Sequence, residues 1–117
     1  MTDKIKRGAE GEQLAAVMLE EKGFLIRERN YRYRRSEIDL IVSRGNWLIF
    51  VEVKTRTSEA YGYPEEFVDY NKRLKIFEGA DQYMHQINWK GNVRFDIVAV
   101  NLVGSHAKIL HIEDAFY

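Results

Sequence analysis

The chain contains no cysteine. Disulfides, zinc–thiolate sites and thiol nucleophiles are excluded, and the composition fits a reducing compartment, so a cytoplasmic location is expected. No apolar run approaches the roughly 18 residues of a membrane span, and the polar start Met1–Arg7 has no apolar leader segment. Neither a membrane anchor nor a signal peptide is expected. An excess of charge of one sign is also missing, because 18 basic residues balance 18 acidic ones. A strongly basic chain would point to nucleic acid by composition; here only a local patch can. His85, His106 and His111 show no paired ligand spacing. There is no phosphate loop of the Gly-x-x-x-x-Gly-Lys kind, no Gly-x-Ser-x-Gly nucleophile turn, no repeat and no low-complexity tract. At 117 residues, one domain spanning 1–117 is expected.

What is present centres on Glu37–Lys54. Glu37-Ile38-Asp39-Leu40-Ile41-Val42 and Trp47-Leu48-Ile49-Phe50-Val51-Glu52-Val53-Lys54 flank Ser43-Arg44-Gly45-Asn46. Two β-rich runs around a glycine turn predict a hairpin. Alternation gives Glu37 and Asp39 one face, and Glu52 and Lys54 likewise. A turn at Arg44-Gly45 sets Glu37 opposite Glu52; a turn at Gly45-Asn46 sets Asp39 opposite Glu52. Both registers put the four polar side chains together, whereas a one-residue slip would separate them.

Three acids and a lysine on one face of an apolar hairpin leave unpaired negative charge whose burial is costly, and the acids repel one another. A divalent cation would resolve the repulsion at Asp39, Glu52 and Glu37, and hard oxygen ligands with open positions suit Mg²⁺ or Mn²⁺. Such an ion polarises phosphoryl oxygens and acidifies a bound water, and Lys54 could orient that water or offset phosphate charge. The bland alternative is a surface salt-bridge cluster, which is common and adds little stability.

Asp39 followed by Glu52-Val53-Lys54 resembles the PD-(D/E)xK signature of restriction-endonuclease-like nucleases. Gly8-Ala9-Glu10-Gly11-Glu12 with Ala15, Asn30-Tyr31-Arg32, Glu37-Ile38-Asp39-Leu40-Ile41 and Phe50-Val51-Glu52-Val53-Lys54-Thr55-Arg56 resemble the YraN-like family of uncharacterised bacterial proteins. Arg94–Val100 and Ile109–Phe116 resemble its C-terminal part. Where that family usually has Gly before Glu-Ile-Asp, this chain has Ser36. The resemblance implies a restriction-endonuclease-like fold, similar to that of archaeal Holliday junction resolvases. It also raises the weight of Glu12 as a site residue.

Along the chain, residues from about Asp3 to Lys22 predict a helix. Gly8, Gly11, Glu12, Ala15 and Leu19 form one stripe, whose small residues permit close approach to a sheet and aim Glu12 at the hairpin. Gly23 is a natural helix stop. A strand over Phe24–Arg29 and a polar edge or bend over Asn30–Ser36 lead into the hairpin. From Lys22 to Arg35 six basic residues face one acid, Glu28, which suits either a guarded edge strand or a phosphate-contacting lip. Thr57–Phe67 reads as a loop whose Tyr61 and Tyr63 could stack on bases or simply pack on the surface. Asp69 would cap a helix from about Tyr70 to Gln86, with Tyr70, Leu74, Phe77 and Met84 inward and Gly79 as an interruption. Lys72, Arg73 and Lys75 make its first turn basic. Strands over Asn92–Leu102 and Ala107–Ile112 follow.

This order predicts an α/β fold, a central mixed sheet flanked by helices. The leading functional expectation is a metal-dependent phosphodiester hydrolase acting on DNA, branched DNA included. Asp39, Glu52 and the Val53 carbonyl would hold Mg²⁺ or Mn²⁺, with Lys54, Glu12 and Glu37 in support. Arg32, Arg34, Arg56, Lys72 and Arg73 would contact nucleic acid. The rivals are a DNA-binding protein of the same fold without cleavage and a protein-interaction module. No membrane partner is expected, and a homodimer is left open.

Overall fold

The computed structural model describes residues 3–57 and 68–116. The loop carrying Tyr61 and Tyr63, with the stacking expected of it, lies outside the described residues. Helix α1 (Asp3–Glu21) precedes strands β1 (Leu25–Tyr33), β2 (Ser36–Arg44) and β3 (Trp47–Arg56). Helix α2 (Tyr70–Ile87) and strands β4 (Asn92–Val103) and β5 (His106–Ile112) complete the order. The strands form one sheet in sequence order; β3 and β4 pair in parallel and every other pair is antiparallel. The architecture is α/β, a mixed sheet with a helix on each face, consistent with the restriction-endonuclease-like fold.

Both helices end for reasons visible in sequence. After α1, Gly23 takes φ 93° while its N–H reaches the Glu20 carbonyl and the Phe24 N–H reaches that of Leu19. This double closure satisfies orphan carbonyls. Asn88 does the same after α2 at φ 54°. The Asp69 carboxylate caps α2 by accepting from Lys72 N–H at 2.8 Å.

Two cores sandwich the sheet. Ala15, Ala16 and Leu19 of α1 bury against Leu40, Val42, Ile49, Val51, Val98 and Val100. On the other face Ile76, Ala80 and Tyr83 of α2 meet Ile38, Ile41, Leu48, Phe50, Ile97 and Phe116. Each large apolar side chain so buried contributes about 1.5–3 kcal/mol of transfer free energy.

The inward stripe of α2 differs from the expected one. Tyr70 and Leu74 are exposed, and Ile76, Gly79, Ala80 and Tyr83 are buried. Gly79 is not an interruption but the point of closest approach. A Cβ there would collide with Ser36 Oγ and stand 3.3 Å from Ile38 Cδ1. The stripe is thus set by the smallest residues, which an apolar periodicity reading passes over. Gly11 plays this part in α1, where an added Cβ would collide with the Thr55 side chain.

Candidate metal and phosphate site

The hairpin takes the second of the two registers: Arg44 pairs with Trp47 and Leu40 with Val51, closing the turn at Gly45-Asn46. Gly45 supplies the positive φ of 58° such a turn requires. Above Leu40–Val51 the ladder stops, although the register would set Asp39 against Glu52. The Val53 N–H instead donates to Asp39 Oδ2 at 2.7 Å.

The cause lies one strand further out. Strict alternation would put Ile38 and Leu40 on one face, yet Ile38 belongs to the α2 side and Leu40 to the α1 side. On β1, between the pairs Arg29–Leu40 and Tyr31–Ile38, Asn30 adopts φ 50°. A left-handed residue turns the strand over at this level. Asp39 sits at that reversal and reaches groups on both faces, a role alternation alone does not provide.

On β3 alternation holds. Leu48 and Phe50 face α2, and Glu52 and Lys54 continue that row. Glu52 is 2% exposed. Its Oε2 pairs with Lys72 Nζ of α2 at 2.9 Å, and its Oε1 has no hydrogen-bond partner among the described residues. Burial, with the Asp39 charge adding to it, pushes the Glu52 carboxyl up to about 7 against the pull of Lys72. Asp39 is raised by burial too, opposed by the Val53 N–H and by Lys72 and Lys54. Burial, with the adjoining Lys72 ammonium adding to it, pushes Lys54 down to about 8 against the pull of Glu52 and Asp39. Glu12 projects from α1 to hydrogen-bonding reach of Asp39 and Asn30. Its carboxyl is raised by burial and by Asp39, so it is suited to carry the proton that two facing carboxyls require.

Two clefts meet at Asp39. One, of about 360 Å³, is lined by Gly8, Glu12, Val53, Thr55 and Arg56; the other, of about 380 Å³, by Arg35, Glu37, Glu52 and Lys75, and Lys72 borders both. Glu12, Glu37, Asp39, Glu52 and Lys72 thus border the two clefts, with Glu37 at the exposed rim beside Arg32 at 3.6 Å, and Lys54 lies next to Lys72 and Glu52. Among the described residues no group of three or more histidines and acids is drawn tightly enough to make a metal centre alone. Two carboxylates with one orphaned buried oxygen, plus open positions, fit a hard divalent ion that keeps much of its own water.

The expected nucleic-acid contacts divide. Arg32 and Arg34 extend from β1 and its turn with exposed side chains, and Arg34 lies 3.4 Å from Glu78. Arg56 lines the first cleft. Arg73 donates to the Val68 carbonyl and lies over the Phe116 ring. Lys72 turns into the acidic cluster instead of outward. Sequence reasoning assigned Lys72 to phosphate contact and gave Asn30 no role; neither the pairing of Lys72 with Glu52 nor the strand reversal at Asn30 was anticipated. The basic first turn of α2, which opposes the helix dipole, does call for a nearby anion, but for Lys72 that anion is the Glu52 carboxylate of this chain.

The family model described as "Uncharacterised protein family UPF0102" matches residues 11–100, a span that holds Glu12, Asn30, Asp39, Glu52, Lys54 and Lys72. A UPF0102 protein of Cytophaga hutchinsonii is 47% identical over 98 residues, covering 84% of this chain and 87% of its own length. That of Alkaliphilus oremlandii is 44% identical over 116 residues, with 95% and 97% covered. That of Rhodococcus opacus is 43% identical over 119 residues, with 99% and 100% covered.

Proposed function

The chain belongs to the family UPF0102, and we propose that it is a metal-dependent nuclease that hydrolyses phosphodiester bonds in DNA. The observation that carries this reading is Glu52: a buried carboxylate with an unpartnered oxygen, beside Asp39 and Lys54 at a cleft. Buried polar atoms are rarely left without a partner, so an orphaned carboxylate oxygen in a cleft favours a cation-binding role. Asp39 and Glu52, with the Val53 carbonyl, would hold Mg²⁺ or Mn²⁺. The ion would polarise a phosphoryl oxygen and lower the pKa of its water. The Val53 N–H fixes the Asp39 carboxylate in place. Lys54, with its lowered pKa, can donate to a phosphate oxygen or hold the attacking water. Glu12, with its raised pKa, can take or give a proton near Asp39. Arg32 and Arg34 at the β1 rim, with Arg56 and Arg73, would bind the DNA backbone.

One observation favours a second reading, DNA binding without cleavage. Lys72 already neutralises Glu52 at 2.9 Å, so the cluster is partly balanced as it stands. The deciding measurement is single-turnover cleavage of branched, duplex and single-stranded DNA with Mg²⁺ or Mn²⁺, beside gel-shift affinity. Under the nuclease reading the parent cleaves, Lys54→Ala keeps binding and loses cleavage, and Asp39→Ala loses the rise in melting temperature that the ion gives the parent. A parent that binds DNA and cleaves none of these substrates establishes the second reading.

A further inference from the structure

We infer that Lys72 is a built-in counterion that competes with a divalent cation for Glu52, so that ion binding requires its ammonium to withdraw toward solvent. The inference rests on the metal-site reading above and concerns how that site is regulated.

Four observations support it. Lys72 Nζ contacts Glu52 Oε2 at 2.9 Å, while Oε1 of the same carboxylate is unpartnered among the described residues. A single ammonium has therefore taken one of two oxygens that would face one ion. Secondly, Lys72 lies in the first turn of α2, where the helix dipole disfavours a cation and where no acid is present. Its place there depends on Glu52 and Asp39: burial works against its charge, and these carboxylates outweigh that and hold its pKa above the usual lysine value. Thirdly, Lys54 crowds the same space, so the cluster holds two cations whose mutual repulsion resists a third charge. Fourthly, the Lys72 side chain is 39% exposed and borders both clefts, so a rotamer change suffices to carry its ammonium into water while the stem stays packed.

Two cations competing for one carboxylate are negatively coupled, and the coupling is reciprocal. Removing the ammonium strengthens ion binding, and ion binding frees the ammonium. The first arm is calorimetric titration of Mn²⁺ into the parent and into Lys72→Met, which keeps the stem and removes the charge. The expected result is affinity higher by about tenfold in Lys72→Met, within the usual range of site couplings. Adding Glu52→Gln to that variant abolishes the gain. The second arm uses the unaltered chain, so it stands even where the variant folds poorly. Amine acylation of Lys72, read by mass spectrometry, accelerates with Mn²⁺ while that of Lys90 does not. Tighter Mn²⁺ binding by Lys72→Met or ion-accelerated labelling of Lys72 supports the inference. Mn²⁺ binding to the parent that is equal or stronger than to Lys72→Met, with Lys72 labelling unchanged by the ion, overturns it and leaves the metal site standing. No Mn²⁺ binding to either protein overturns both.

Discussion

Glu52 and Asp96 are both buried carboxylates on adjacent parallel strands, one level apart, since Glu52 pairs with Ile97 and Val51 with Asp96. Asp96 is saturated. Arg94 reaches its two oxygens at 2.8 Å each, His111 Nε2 lies at 2.7 Å and the Asp114 N–H at 3.0 Å. Burial raises its pKa, but His111, Arg94 and that N–H outweigh burial and hold it below the usual value. Glu52 has one cation on one oxygen and, among the described residues, no partner on the other. Burial and the Asp39 charge therefore win, and its pKa rises to about 7. Equal burial with opposite satisfaction separates a carboxylate that ties the fold together from one that keeps an unpartnered oxygen beside a cleft. Asp96 joins β4, β5 and the C-terminal segment, which also docks through the Ala115 N–H on the Phe95 carbonyl.

The largest expected effect breaks the comparison if it is wrong. Asp96→Ala leaves the half-buried Arg94 and His111 without their anion and should cost about 3–5 kcal/mol, measured by denaturant unfolding. Glu52→Gln keeps the shape and removes a strained charge, and Lys72 can turn to solvent. It should cost under about 1 kcal/mol. Comparable losses in the two variants would mean that Glu52 is as structural as Asp96.

The same contrast gives opposite pH slopes in chelator-treated protein. The depressed pKa of Asp96 contributes stability at neutral pH that is lost only as pH falls below the ordinary carboxylate value, about 3.9. The raised pKa of Glu52 means that the folded chain binds its proton more tightly than the unfolded chain. Stability then falls as pH rises from about 4.3 toward 7, with a limiting slope of about 1.4 kcal/mol per pH unit. Glu52→Gln should reduce that slope, leaving the part that the raised Asp39 and Glu12 carboxyls contribute, and leave the acid limb alone. A slope between these values that persists unchanged in Glu52→Gln would reassign it to another group.

A smaller effect separates strand geometry from side-chain chemistry at Asn30. Asn30→Ala places a residue with a penalty at φ 50° and removes the amide from Glu12, and should cost about 1–2 kcal/mol. Asn30→Gly keeps the turn-over and should recover most of that stability. Its remaining deficit, read by thermal melting, measures the Glu12 contact.

Much of this was legible in the residues. Asp69, Gly23, a hairpin turning at Gly45 and the order of elements follow from local chemistry that tertiary contacts do not override, whereas the choice between the Arg44-Gly45 and Gly45-Asn46 turns needed the observed register. The convergence of Glu12, Asp39, Glu52 and Lys54 was legible as well, but for Asp39 the reason differs. Period-two alternation predicts a shared face, whereas the structure turns the strand over beside Asn30 and opens the ladder above Leu40. A left-handed asparagine inside a strand has no periodic signature. Gly79 hid the α2 stripe because close approach selects the absence of a side chain. Lys72 and the Asp96 network were missed for a common reason: each depends on pairing across elements far apart in sequence, with Lys72 and Glu52 twenty positions apart and Asp96 and His111 fifteen.

The smallest effect on stability is expected at the rim, and there it sharpens the contrast between satisfied and available charge. Arg32 sits 3.6 Å from Glu37 and Arg34 3.4 Å from Glu78, with all four side chains substantially exposed. Exposed pairs of this kind contribute about 0–1 kcal/mol, because water screens them and ordering the long side chains costs entropy. Arg32→Ala with Arg34→Ala should therefore leave the melting temperature almost unchanged. DNA binding should respond differently. With no net charge on the chain, attraction to phosphates must come from a local patch, and β1 with its turn supplies an exposed one. Each lost phosphate contact should lower the slope of log affinity against log salt by about 0.9 on duplex DNA. The double variant should lose affinity alike for unrelated sequences, since backbone contacts carry no base information. An unchanged salt slope would leave Arg32 and Arg34 as guards of an edge strand and move the DNA path toward Arg56 and the cleft it lines.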